Sequence, residues 1–266
     1  MEHVISADGT RIALHRAGAG PSVVIVNGAF STARDAGELA TALADAGFTA
    51  ITYDRRARGD SDDARAARTA VDPLREVDDL AAVIAAAGGD AAVLGHSSGA
   101  VLALVAAARG IPVRRLFLSE PPFHFGVDDA DPSLPERLQA LVDAERTGDA
   151  VVLFQREGVG LPDAMVEQIR QSPLFDALRA LAQSTVYDAA LTRDVSTPTP
   201  DMLAVAAPVT ILCGEQTFPM LSVAAEKLAA AMPGAELLIT PESLMHRLDV
   251  ATATRVVAER LGASEA

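Results

Sequence analysis

One serine in this sequence sits where a serine can do chemistry. The segment Gly95-His96-Ser97-Ser98-Gly99 follows the apolar run Ala91 to Leu94 and leads into the helical run Ala100 to Ala108. Glycines two positions either side of a serine suit a cramped strand-to-helix turn, because a side chain there would strike the neighbouring strand or helix. Such a turn holds the hydroxyl out at the end of a sheet, with a helix N-terminus behind it. A Gly/Ser linker is the bland alternative, and the pentapeptide alone does not decide between them. A serine hydroxyl is a poor nucleophile without a base. Of the five histidines, His3 and His15 fall in an N-terminal hairpin and His96 lies inside the turn, expected to point away from the nucleophile. His124 stands where a helical stretch begins and is a candidate substrate contact. His246 lies in the loop between the last strand and the last helix, on the edge that carries Ser97, and is the expected base.

The surrounding pattern explains how these residues meet. Asp8-Gly9 between short alternating runs reads as a hairpin. Ser22 to Val26, Phe48 to Tyr53, Ala91 to Leu94, Val113 to Leu118, Val209 to Leu212 and Glu236 to Ile239 are apolar runs suited to buried strands. Helical runs separate them at Arg34–Ala46, Pro73–Ala87, Ala100–Ala108, Ser222–Ala231 and Ala251–Leu261, with Gly47 and Gly88-Gly89 as stops. This alternation predicts an α/β fold with a mostly parallel sheet covered by helices on both faces. From residue 128 to 206 the pattern changes to helices only, near Leu134–Arg146, Ala150–Glu157, Asp163–Gln171 and Phe175–Leu191. That block predicts a helical cap inserted between the sixth and seventh strands, on a core of residues 1–127 and 207–266. Asp194 to Pro200 reads as the return from cap to core.

Several loops together resemble the α/β-hydrolase fold over essentially the whole chain. Beyond Ser97, Asn27-Gly28-Ala29-Phe30 stands in the place of the oxyanion loop after the third strand. Asp54-Arg55-Arg56-Ala57-Arg58-Gly59-Asp60-Ser61 resembles the Asp-x-Arg-Gly-x-Gly-x-Ser loop after the fourth, and Leu244-Met245-His246 the histidine loop after the eighth. The resemblance implies a triad and an oxyanion hole formed by the N–H groups of Ala29 and Ser98. Asn27 replaces the usual histidine and is expected to hold the loop by its amide. The acid departs from the pattern: after the seventh strand the chain reads Gly214-Glu215-Gln216-Thr217, and Thr217 cannot carry the charge that stabilises an imidazolium. Some members of the fold place the acid at the end of the sixth strand, where this chain has Glu120, with Pro121-Pro122 stiffening the backbone behind it. Glu120 is the favoured acid and Glu215 the runner-up; a Ser-His dyad is the remaining alternative.

Bulk properties narrow the functions. The chain has 266 residues, is half apolar with few aromatics, and carries a net charge of −14. That charge argues against nucleic acid and anionic membrane partners. Cys213, the single cysteine, is expected to be a buried structural thiol. With no secretory leader and no spanning segment, a cytoplasmic protein is expected. No metal-site spacing or dinucleotide loop occurs, so no cofactor and no metal are expected. The charged loop from Arg55 to Asp63 reads as a set of internal ion pairs, each worth little. Phe30, Phe123, Phe125, Leu153, Phe154, Met165, Phe218 and Met245 are candidate linings for an apolar pocket, with Phe30, Phe123, His124 and Met245 the favoured substrate contacts. The expected activity is cleavage of a small-molecule ester or lactone through an acyl-enzyme, by Ser97, His246 and Glu120. Alternatives are a cofactor-free perhydrolase or haloperoxidase-like enzyme, a lyase or cyclase, or a silent ligand-binding protein. Homodimerisation is left open.

Overall fold

The computed structural model describes residues 1–64, 71–127, 129 and 131–262, and every structural statement here concerns those residues. The strands β1 (Glu2–Ile5), β2 (Arg11–Ala17), β3 (Ser22–Val26), β4 (Thr49–Tyr53), β5 (Ala92–His96), β6 (Arg115–Ser119), β7 (Val209–Gln216) and β8 (Ala235–Leu244) form one eight-stranded sheet. Their order is β1-β2-β4-β3-β5-β6-β7-β8, antiparallel from β1 to β4 across β2 and parallel from there on. The helices are α1 (Gly37–Asp45), α2 (Arg75–Ala86), α3 (Ser98–Ala108), α4 (Leu134–Asp143), α5 (Thr147–Leu153), α6 (Asp163–Arg170), α7 (Phe175–Ala180), α8 (Ala182–Asp194), α9 (Pro200–Leu203), α10 (Pro219–Ala231) and α11 (Val250–Leu261).

The period of two along a buried strand divides the core in two. In β3, Val24 and Val26 join the cluster that includes Val77 and Leu80 of α2, Val101 and Leu104 of α3 and Leu228 of α10. Val23 and Ile25 face the other way, towards Leu39 and Leu43 of α1 and Val256 and Val257 of α11. α3 is apolar on every side and buried from Ser98 to Ala106, as a helix wrapped on all sides must be. Helices α4 to α9 all fall between β6 and β7; α4 to α8 build a third core around Leu138, Val151, Phe154 and Val186, whereas Met202 and Leu203 of α9 join the cluster that holds α3. Ala29 and Phe30, from the loop after β3, pack against that third core.

The predicted sheet and its helical interruption are therefore present, with local corrections. The run Phe175–Leu191 is two helices, parted at Leu181, where ψ turns to 9° and the N–H bonds Leu178 O in a tighter turn. The run Ala150–Glu157 leaves α-geometry at Phe154 for a π-turn, Phe154–Gly158. β8 continues past Ile239 to Leu244, because a bulge between Gly214 and Gln216 lets Leu244 pair with Gln216. The Pro-rich return contains a short helix, α9, capped by Thr199 Oγ1 accepting from the Met202 N–H. Residue 128, the expected start of the helical block, lies outside the described residues. Cys213 is buried, and burial raises its thiol pKa. No helix among the described residues is long and apolar enough to cross a membrane.

Candidate active site

Ser97 occupies the turn between β5 and α3 with φ 55° and ψ −127°, a conformation that L-residues avoid. The flanking glycines make it feasible. A Cβ on Gly95 would lie 2.5 Å from Gly99 O, and one on Gly99 would lie 2.1 Å from Val26 O of β3. The Ser97 N–H donates to Ser119 O at 2.8 Å, which ties the turn to β6. Ser98 opens α3, so its N–H belongs to the first-turn donors that have no intrahelical acceptor. The loop after β3 presses on the same turn: a Cβ on Gly28 would stand 2.8 Å from Ser97 Cβ and 3.5 Å from its Oγ. Asn27 does hold that loop, donating from Nδ2 to Thr32 O at 2.6 Å.

One residue past β6, Glu120 takes a positive φ of 48° and turns inward, 3% exposed. Its Oε2 lies 2.5 Å from His246 Nδ1, and its Oε1 accepts the Gly214 N–H at 2.8 Å. Burial opposes ionisation of Glu120, but the His246 and Gly214 hydrogen bonds outweigh it and hold the carboxyl below its ordinary value. Glu215 is exposed on β7, so of the two acids it is Glu120 that meets His246. His246 follows β8 with φ 61°. A neutral His246 with Nδ1–H directed at the carboxylate leaves Nε2 as its free acceptor.

His96 corrects the sequence reading. Its ring does not point away from the site: it lies against the His246 ring, with centroids 4.6 Å apart and planes at 35°. His96 Nδ1 pairs with Ser119 Oγ at 3.0 Å. Burial, reinforced by His246, pushes the His96 pKa down to about 3, so the ring is neutral and serves as an uncharged shelf. Phe218 borders His246 from another side, at 6.4 Å between ring centroids.

The arginine loop after β4 is the second correction. Arg55, Arg56 and Arg58 are at most 2% exposed, and their partners lie outside the loop. Arg55 forms a two-pronged pair with Glu76, both contacts 2.7 Å, and Arg56 forms another with Asp79, also 2.7 Å. Arg58 reaches Asp188 of α8 at 3.0 and 2.8 Å. These are desolvated, hydrogen-bonded pairs rather than surface ones, so the small value of an exposed ion pair does not apply to them. A signal was present in the sequence: Glu76 and Asp79 share the buried stripe of α2 with Val77, Leu80, Val83 and Ile84. Carboxylates on an apolar stripe require buried cations.

The structure thus brings Ser97, His96, Glu120, His246 and the Asn27–Phe30 loop to one edge of the sheet. Phe30 packs edge-on against Phe154, centroids 5.4 Å apart, beneath the helical insertion. Phe123 is buried in the larger core cluster, its ring 6.2 Å from that of Phe125 between centroids. His124 bonds Val127 O through its ring and Ser196 O through its N–H. Met245, beside His246, is 57% exposed. Among the described residues no group of three His, Cys, Asp or Glu side chains is placed to hold a metal.

Comparison with known proteins bears on this geometry. The sequence profile of the alpha/beta hydrolase family matches residues 23–259. The crystal structure of an alpha/beta hydrolase from Sphaerobacter thermophilus is similar at 40% identity and TM-score 0.88, over 98% of this chain and 100% of that one. An enol-lactonase from Burkholderia xenovorans shares the fold at 19% identity and TM-score 0.68, covering 98% and 100% of the two chains. An esterase from Thermogutta terrifontis does so at 19% identity and TM-score 0.67, covering 98% and 97%. No curated protein matches the sequence.

Proposed function

The chain belongs to the alpha/beta hydrolase family, and from that premise we propose that it is a serine hydrolase that cleaves a small carboxylic ester or lactone through an acyl-enzyme. Ser97 Oγ attacks the carbonyl carbon while its proton passes to His246 Nε2. The Ala29 and Ser98 N–H groups take the charge that develops on the carbonyl oxygen. Collapse breaks the bond to the leaving oxygen, which receives the proton from His246. A water molecule, deprotonated by the same nitrogen, then releases the acid and restores Ser97. Glu120 keeps His246 in the Nδ1–H tautomer and stabilises the imidazolium formed in each half-reaction. Its depressed pKa keeps it ionised for this task.

The observation that carries the reading is the 2.5 Å contact between Glu120 and His246, on the same edge of the sheet as a serine in a strained, glycine-flanked turn. Helices α4 to α8 act as a cap, a role supported by the packing of their core on Ala29 and Phe30. Phe30 and Phe154 then supply apolar surface for the acyl or ring portion of the substrate.

The test is turnover of aryl esters of rising chain length and a set of lactones, with a fluorophosphonate as covalent label. Ser97→Ala is expected to abolish labelling and to lower kcat by about 10⁶. Glu120→Gln is expected to lower kcat by about 10⁴ with the fold intact, and Glu215→Gln to leave it near wild type. A wild-type protein that binds no fluorophosphonate and turns over none of these substrates would overturn the proposal. Loss of activity in Glu215→Gln but not in Glu120→Gln would overturn the identity of the acid.

A further inference from the structure

We propose that Arg58 is a positioning residue that aims the oxyanion hole, and that Asp188, delivered by α8 of the helical insertion, is the counter-charge that holds it there. This rests on the reading of Ser97 as an acyl-transfer nucleophile. The argument starts from one peptide plane. Gly28 supplies its C=O and Ala29 its N–H. In a planar trans peptide these point in opposite directions, so whatever grips the oxygen aims the N–H. Arg58 Nη1 donates to Gly28 O at 2.5 Å and to Ser31 O at 3.2 Å. On the preceding residue, Arg55 Nη1 donates to Asn27 O at 3.1 Å. A cationic donor on the carbonyl also polarises the amide, which makes its N–H a stronger donor where negative charge develops.

The second oxyanion donor is tied to the same assembly. Ser98 Oγ donates to Asp188 Oδ1 at 2.7 Å and accepts from Arg55 Nη1 at 3.0 Å. Asp188, 1% exposed, also takes Arg58 on both oxygens and lies 2.9 Å from Arg55 Nη1. Both N–H donors thus depend on one buried carboxylate that belongs to the insertion and not to the sheet. With Glu76 on Arg55, the group Arg55, Arg58, Glu76 and Asp188 is charge-balanced without solvent. The insertion is then part of the catalytic alignment as well as a roof. A change at Asp188 loosens the arginines and, through them, the Gly28–Ala29 peptide.

Arg56 supplies the comparison that separates positioning from mere support. It lies on the same loop, equally buried, but pairs with Asp79 and Asp8 and not with the oxyanion loop. The experiment uses the whole enzyme as wild type, Arg58→Met, Asp188→Asn and Arg56→Met. It measures kcat and KM on a short aryl ester, the inhibition constant of phenylboronic acid, the pH–rate profile and thermal midpoints. Phenylboronic acid mimics the tetrahedral intermediate when it adds to a serine. Arg58→Met and Asp188→Asn are expected to lower kcat by about 10- to 100-fold, weaken boronate in proportion, and leave KM and the pH midpoint nearly unchanged. Arg56→Met is expected to lower the thermal midpoint yet keep kcat and boronate affinity. Asp188→Asn is close in shape to the parent and decides the matter if Arg58→Met does not fold. The inference is overturned if folded Asp188→Asn keeps kcat and boronate affinity within about twofold of wild type, or if Arg56→Met loses boronate affinity equally. A wild-type enzyme with no ester turnover and no boronate adduct overturns the acyl-transfer reading itself, and this inference with it.

Discussion

Ser97, Glu120 and His246 share a backbone peculiarity: each has a positive φ, at 55°, 48° and 61°. Phe30, in the loop after β3, and Met245, next to His246, do too, at 58° and 50°. Such conformations cost about 1–3 kcal/mol each for non-glycine residues, and their clustering marks a site whose geometry is imposed by its surroundings. His96 is imposed upon in another way. Its pKa falls from the ordinary histidine value to about 3, chiefly through burial. The unfolded chain therefore takes up a proton near pH 6.5 that the folded chain refuses until about pH 3. Stability from this group is full above the upper value and declines as pH falls towards the lower, by at most about 1.4 kcal/mol per pH unit. His96→Phe should remove that slope while keeping a ring against His246. Urea unfolding at pH 7 and pH 5 tests this: the wild type should lose more stability than the variant between the two, and equal losses would show that His96 titrates normally in the fold.

At the scale of the elements, the loops that shape the site depend on single Cβ atoms. Gly99 sits where α3 meets β3, and Gly99→Ala would drive a methyl onto Val26 O at 2.1 Å. Neither element has room to retreat, since both are buried, so a loss of about 3 kcal/mol or more is expected. Ala57 is the opposite case. It holds φ 59° in the loop after β4, donating to Asp62 O, with a methyl group that this conformation penalises. Ala57→Gly should therefore stabilise by about 0.5–1 kcal/mol despite the added freedom of the unfolded chain. Paired denaturation curves decide both: a stabilised Gly99→Ala or a markedly destabilised Ala57→Gly would contradict these contacts. The same scale explains what the sequence left hidden. Asp54, in the same loop, bonds the Ala33 and Asp60 N–H groups, and Arg56 reaches Asp8 of the hairpin. The loop thus ties down the segment before α1 and the N-terminal hairpin, and such long-range partners leave no local periodicity.

For the molecule as a whole, charge is carried in two ways. The net charge is −14, and pairs such as Arg114–Asp90 and Arg255–Glu259 lie in solvent. The Arg55, Arg56 and Arg58 pairs are sealed inside. Salt screens exposed charges and hardly touches buried ones, so raising NaCl from about 0.05 to 0.5 M should relieve self-repulsion and raise the thermal midpoint. A fall would mean that the exposed pairs outweigh the net charge. The sequence by itself determined the order of strands and helices, the helical block between β6 and β7, and the turn that holds Ser97. These rest on local patterns: apolar runs, helical stripes, and glycines at fixed offsets. It also narrowed the acid to two residues, because Thr217 stands where a carboxylate is usual. Only the tertiary structure decided that Glu120 meets His246, that the His96 ring shelves it, and that the arginines face Glu76, Asp79 and Asp188. Each of those is a contact between residues far apart in the chain. Burial selects the partner there, because a desolvated charge or ring must find a complement wherever the packing brings one.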